Sequence, residues 1–177
     1  MRKAKWLIVG FLLMMFFFFG ITLLLPSKVT VSKSIIINAS LRKVAEQIQD
    51  FNNWKNWYPA FRNKDISITL DYNLLISSAI LKDKKGHEIK FSMNRNQKDT
   101  INIELHSNEK TLTYQFIIST NKENNTQVIW NVNINLGSYP WRKIQGLVMD
   151  KINGPEYELA LQNLKKATEG ATIQTMP

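Results

Sequence analysis

The sequence predicts an α+β fold in which a seven-stranded antiparallel sheet curves around a long C-terminal helix, behind one N-terminal transmembrane helix. Three observations support this prediction. Residues 6–25 form one apolar run, apolar residues alternate with polar ones over most of residues 66–135, and the period becomes helical after residue 140. A sheet with one apolar face and a helix with one apolar stripe bury those surfaces against each other.

The N-terminal run, Trp6 to Leu25, holds only apolar residues, glycines and one threonine. A helix of that length spans roughly 30 Å, the thickness of a bilayer's hydrocarbon core. Arg2, Lys3 and Lys5 precede it, which favours an N-terminus inside and a domain outside. We therefore expect a single-pass membrane protein with an extracytoplasmic domain. The alternative is a cleaved signal peptide, although the run exceeds the usual length and no small-x-small site follows it.

Composition limits the classes of function. The net charge is +9, but the basic residues are scattered, whereas nucleic-acid binders concentrate them on one face. We therefore expect no nucleic-acid partner and interpret the charge as aiding solubility and attraction to anionic lipids. The chain has no cysteine, which excludes disulfides and zinc–thiolate sites. No cofactor motif is found, and no cofactor is expected.

The elements predicted between the N-terminal run and residue 66 are short. Apolar residues alternate through residues 28–38, which predicts a first strand. Ser40 is a suitable N-cap for a helix over residues 41–51. Residues 54–59 then form an aromatic turn or short helix that ends at Pro59.

Six strands follow between residues 66 and 135, and a long helix completes the domain. Residues 153–155 interrupt its pattern because they include a proline, so either one kinked helix or two abutting helices would fit. The predicted organisation is an N-terminal tail and anchor over residues 1–27, one domain over residues 28–170, and a disordered tail over residues 171–177.

Residues typical of catalysis are few. His87 and His106 lie near turns among polar neighbours and are predicted to be exposed. Asp71 and Glu104 are predicted to face outward from the sheet, and no carboxylate pair stands isolated on an apolar face. A general acid needs such surroundings to raise its pKa. The pattern does not indicate an enzyme, although it leaves the question open.

Three stretches resemble the SRPBCC superfamily, in particular its membrane-anchored polyketide-cyclase/dehydrase-like members. They are residues 34–39, the motif Asp50-Phe51-Asn52-Asn53-Trp54-Lys55-Asn56-Trp57-Tyr58-Pro59, and residues 149–166 of the closing helix. The resemblance implies a helix-grip fold with a hydrophobic cavity between sheet and helix. It does not imply catalysis, because the family includes lipid carriers, cyclases and hydrolases. A proline common after the family's first strand is absent, since Ser40-Leu41 stands there.

The leading hypothesis is a non-catalytic, membrane-anchored module that binds a lipid or another small hydrophobic molecule in the cavity between sheet and helix. The alternatives are a cyclase- or hydrolase-type enzyme and a protein-interaction module with a packed interior and an exposed apolar patch. The chain gives no indication of its oligomeric state. The residues predicted to line the cavity are apolar side chains of the inward faces: Trp57, Phe91, Met93, Phe116, Trp130, Trp141, Val148 and Ile152.

Overall fold

The structure is a computed structural model that describes residues 2–94, 100–107, 111–121, 125–137 and 139–170. Five α-helices, one 3₁₀ turn and seven strands occur within those ranges. In chain order they are α1 (Arg2–Leu24), β1 (Lys28–Ile37), α2 (Leu41–Gln49), α3 (Phe51–Trp54), the 3₁₀ turn (Pro59–Arg62), β2 (Ile66–Tyr72), β3 (Ile76–Asp83), β4 (Glu88–Asn94), β5 (Thr100–Ser107), β6 (Thr111–Thr120), β7 (Thr126–Asn135), α4 (Pro140–Gly146) and α5 (Met149–Glu169).

The seven strands form one antiparallel sheet in the order β1-β7-β6-β5-β4-β3-β2. The meander from β2 to β7 pairs each strand with the next, and β1 closes against β7, so β1 and β2 are the two edges. Burial alternates along β7, because one face packs inward and the other faces solvent. The predicted seven-stranded antiparallel sheet is confirmed.

Helix α5 lies against the sheet along β1. Its buried residues include Tyr157, Ala160, Leu161 and Leu164, which share one face at helical spacing. At the solvent edge of this contact, Lys33 Nζ on β1 lies 3.1 Å from Asp150 Oδ1 and 2.8 Å from Glu158 Oε1. Apolar packing and two ion pairs therefore hold the helix on the sheet, as the sequence predicted for the closing helix.

The break in the C-terminal helical segment differs from the prediction. α5 continues through Pro155, and the interruption lies at residues 147–148, between α4 and α5. Gly146 ends α4 where a side chain would not fit, because an added Cβ would overlap Leu136 Cδ1 and lie 3.0 Å from Val29 Cγ2. The predicted disordered tail over residues 171–177 lies outside the described residues.

The helix caps also differ from the prediction. The Ser40 side chain makes no capping hydrogen bond to α2, which ends at Gln49 rather than continuing to Phe51. Asp50 instead caps the following helix, because its carboxylate accepts a hydrogen bond from the backbone N–H of Asn52 at 2.9 Å. This cap stabilises the start of α3, which leads into the aromatic turn.

The predicted transmembrane anchor needs correction. Across the parts of the chain that the structure describes, none of the helices combines the length and apolarity needed to cross a bilayer. By this criterion the predicted single-pass anchor, membrane localisation and extracytoplasmic placement are wrong.

Candidate functional site

Aromatic rings fill the space between the sheet and α5. Neighbouring ring centroids lie about 5–6 Å apart, mostly in edge-to-face or tilted geometry. None of the rings is more than 5% exposed. The members come from α3, the turn that follows it, the sheet and α5: Phe51, Trp54, Trp57, Tyr58, Phe61, Phe91, Tyr114, Phe116, Trp130 and Tyr157. The expected cavity is therefore occupied by side chains of the protein itself.

Five of the residues predicted to line a cavity are buried in this interior. Trp57, Phe116 and Trp130 contact one another, with the Phe116 and Trp130 rings stacked at 4.9 Å. Phe91 and Met93 lie on β4 and are each 2% exposed. Their inward orientation agrees with the sequence, whereas a role in ligand binding stays a prediction.

The other three residues face solvent, contrary to the predicted inward orientation. Trp141, Val148 and Ile152 are 59%, 43% and 66% exposed. The buried stripe of α5 is fixed by Tyr157 and Leu161 and continues back to Gly154 and Met149, so Ile152 lies off it. Three further large apolar side chains of this region are also exposed: Tyr139, Ile144 and Leu147. The exposed apolar side chains of this region thus lie within residues 139–152.

A polar cluster lies inside the aromatic interior. The hydroxyls of Tyr58 and Tyr114 are 3.1 Å apart and hydrogen-bonded, and the Tyr157 ring lies 6.3 Å from that of Tyr114. Trp130 lies 5.0 Å from Tyr157 between centroids, and its buried indole Nε1 has no hydrogen-bond partner. We call Tyr58, Tyr114 and Tyr157 the tyrosine cluster. An unpaired buried N–H costs free energy, which the packing of the ring must offset.

Burial shifts the acid–base properties of this region. It raises the pKa of Tyr58 and of Tyr114 well above the ordinary value and raises the pKa of Tyr157 to about 12. The charge of Glu156 adds to the upward pKa shift of all three. Desolvation also raises the pKa of Glu156 itself, although that side chain keeps access to solvent. The tyrosines therefore stay neutral hydrogen-bonding groups, and the Glu156 carboxyl holds its proton more tightly than usual.

A groove leads from solvent to the side of this cluster. It has a volume of about 480 Å³ and lies between the start of the 3₁₀ turn and one face of α5. Its walls include Pro59, Pro155 and Leu159, with Glu156, Glu158 and Gln162 as polar groups. Glu156 borders the groove, and its charge raises the pKa of all three tyrosines, so the groove lies close to the cluster.

The sequence did not identify this site. Tyr58 was interpreted as part of the aromatic turn over residues 54–59, and no polar cluster was expected inside the cavity. Tyrosine rather than phenylalanine on three inward-facing elements was the available signal, because a buried phenol requires a hydrogen-bond partner. That signal says nothing about whether the three tyrosines lie close together, which depends on the fold.

The histidines and the outward carboxylates lie where the sequence placed them. His87 is exposed and lies 2.8 Å from Asp83, and His106 is exposed and lies 3.3 Å from Glu104. Asp71 is likewise exposed. Within the described ranges, no three His, Cys, Asp or Glu residues are placed to hold a metal ion.

Comparison with protein-family models gives no match, and comparison with curated proteins gives none either. Solved structures do match. The Zhui aromatase/cyclase from Streptomyces sp. R1128 is similar over 80% of this chain and 94% of its own, with a TM-score of 0.59 and 11% identity. A protein of unknown function from Staphylococcus aureus is similar over 83% of this chain and 97% of its own, with a TM-score of 0.60 and 12% identity.

A third match is a two-domain protein. StfQ, a di-domain ARO/CYC from the steffimycin biosynthetic pathway, is similar over 81% of this chain and 51% of its own, with a TM-score of 0.60 and 9% identity. Identities this low establish likeness of fold alone. The resemblance to the SRPBCC superfamily is thus supported in its fold, and the protein has the helix-grip architecture of the aromatase/cyclases.

Proposed function

We propose that the protein is a non-catalytic helix-grip module that binds a small, mostly apolar molecule with one polar group in the groove between Pro59 and α5. The observation that supports this most is the position of Glu156. It borders an apolar groove of about 480 Å³ and directly precedes a tyrosine of the buried cluster. Binding sites for small molecules typically combine apolar walls of about 300–1,000 Å³ with a few polar groups.

Each part of the groove has a role in this proposal. Pro59, Pro155 and Leu159 contact the apolar body of the ligand. Glu156 and Gln162 hydrogen-bond its polar group, and Glu156 in its protonated form can donate as well as accept. The similarity to aromatase/cyclases supports a small-molecule ligand. The composition of the interior supports binding without catalysis, because no Asp, Glu or His among the described residues is buried.

The experiment uses 2-naphthol, an aromatic molecule with one hydroxyl, and isothermal titration calorimetry on the full chain. Gln162→Trp fills the groove from an exposed position, so folding should be retained. We expect affinity to fall roughly tenfold or more, because the added ring occupies the ligand's space. Gln145→Trp is the matched control, since Gln145 is an exposed helical glutamine that does not line the groove. No binding to the wild type, or equal binding by both variants, contradicts the proposal.

A second candidate is acid–base catalysis of the cyclase type, and the raised pKa of Glu156 favours it. A carboxyl whose pKa is raised holds its proton to higher pH and can act as a general acid. The test is hydrogen–deuterium exchange at the α-carbon of a β-diketone, followed by proton NMR. An enzyme should accelerate the exchange, and Glu156→Gln should abolish the acceleration. Exchange at the uncatalysed rate contradicts this candidate and leaves the binding proposal intact.

A further inference from the structure

A second pocket is formed at the β2–β4 side of the sheet, and no residue of α5 lines it. It has a volume of about 610 Å³ and lies between the end of α2, the start of α3 and the ends of β2, β3 and β4. It has no lining residue in common with the groove beside Glu156. A ligand here would therefore be independent of the proposed function.

The charge of this pocket is opposite to that of the protein. Glu46 and Asp50 line it, and no Lys or Arg does so among the described residues. The chain as a whole carries +9. Arg42 pairs with Glu46 at 2.9 Å, but both side chains are exposed, and such pairs are weak and readily exchanged. The described residues that line the pocket therefore give it a negative charge on a basic protein.

The Asp50 carboxylate is held in a fixed position. Its Oδ1 accepts hydrogen bonds from the Asn52 backbone N–H at 2.9 Å, the Asn52 amide at 3.0 Å and the Tyr72 hydroxyl at 3.0 Å. No hydrogen bond to its Oδ2 occurs within the described residues. One oxygen orients the carboxylate, and the other remains available to a ligand.

The inner end of the pocket contains a buried hydroxyl without a partner. Ser77 is 1% exposed, and its side chain hydrogen-bonds to no residue of the described ranges. It is the Cα partner of Met93 and shares that residue's inward face, and both line the pocket. This hydroxyl can therefore form a hydrogen bond with a ligand in the pocket. The site thus combines an available carboxylate oxygen, an unpaired hydroxyl and a buried thioether side chain.

We propose that this pocket binds a small organic amine in its protonated form. The ammonium group donates hydrogen bonds to Asp50 and to Ser77, and a short apolar chain contacts Met93. An ammonium has three donors and no acceptor, which suits a site with a carboxylate and a hydroxyl. A metal ion fits less well, since no cluster of three metal-binding side chains occurs among the described residues.

The test measures binding of n-butylamine to the full chain by isothermal titration calorimetry at low salt, beside n-butanol and calcium chloride. Butylamine should bind and butanol should not, because only the amine carries the charge. Raising the salt concentration should weaken the binding, as expected for an attraction between charges. Equal binding of butanol, or binding of calcium but not of butylamine, overturns the proposal.

Three variants locate the site. Asp50→Asn keeps an oxygen for the Asn52 and Tyr72 donors but removes the charge. It should lower the affinity for butylamine roughly tenfold or more, since hydrogen bonds to charged groups are strong. Ser77→Ala should lower the affinity for butylamine by a smaller factor, and it tests the role of the Ser77 hydroxyl. Asp71→Asn is the matched control, because Asp71 is exposed on the same strand as Tyr72 and does not line the pocket. Circular dichroism checks folding, and equal affinity of all four proteins overturns the assignment.

Discussion

Replacing Trp54 by alanine should remove much of the protein's stability. Trp54 is fully buried and packs on Trp57 at 4.9 Å and on Tyr58 at 5.1 Å between centroids. Its indole N–H also donates to the Ile48 carbonyl at 2.9 Å. Truncating a buried Trp costs about 3–5 kcal/mol. The carbonyl left without its donor adds to that cost, so we expect a loss of about 5 kcal/mol, against a typical total of about 5–15 kcal/mol.

Urea unfolding followed by circular dichroism measures this loss. Trp54→Phe should cost only about 1–3 kcal/mol, since it keeps a ring and removes the hydrogen bond. Trp141→Ala is the matched control, because Trp141 is 59% exposed, and it should change the unfolding free energy by no more than about 0.5 kcal/mol. Similar losses for Trp54→Ala and Trp141→Ala would refute the packed aromatic interior.

Three further predictions concern stability and ionisation. Gly146→Ala should lower the free energy of unfolding by about 1–3 kcal/mol, because its Cβ meets the buried Leu136. Gly154→Ala should change it by no more than about 1 kcal/mol, because its Cβ meets only flexible side-chain ends. Thermal melts compare the two variants. Three of the five tyrosines should ionise only on unfolding, since burial raises the pKa values of the cluster, as ultraviolet titration would show. Because the pKa of Glu156 is raised in the folded state, its protonation stabilises the fold at pH values below its ordinary pKa of about 4.3. That contribution is lost as the pH rises through the raised pKa. Glu156→Gln should therefore make the melting temperature vary less with pH over that range.

Alternation of apolar residues was enough to predict the sheet. Strands such as β7 bury every second residue, and a shift of register by one would expose the whole apolar set. The pairing of β1 with β7 could not be predicted from alternation, because it joins residues about a hundred positions apart.

The helical part was predicted less well because several apolar stripes were possible. Trp141, Val148 and Ile152 repeat at helical spacing, and so do Tyr157, Leu161 and Leu164. Only the second set faces the sheet, because the break at residues 147–148 separates Trp141 from α5 and Ile152 lies off the buried stripe of α5. Periodicity identifies a stripe, but packing decides which stripe is buried.

The packed interior bears on where a ligand can bind. A ligand placed between the sheet and α5 would have to displace buried rings, each at a cost of about 3–5 kcal/mol. Micromolar affinity corresponds to about 8 kcal/mol, so displacing two rings would offset most of it. The groove beside Glu156 requires no such displacement, because its space is already open to solvent. The same aromatic packing that stabilises this fold therefore favours binding at its rim, next to the tyrosine cluster rather than within it.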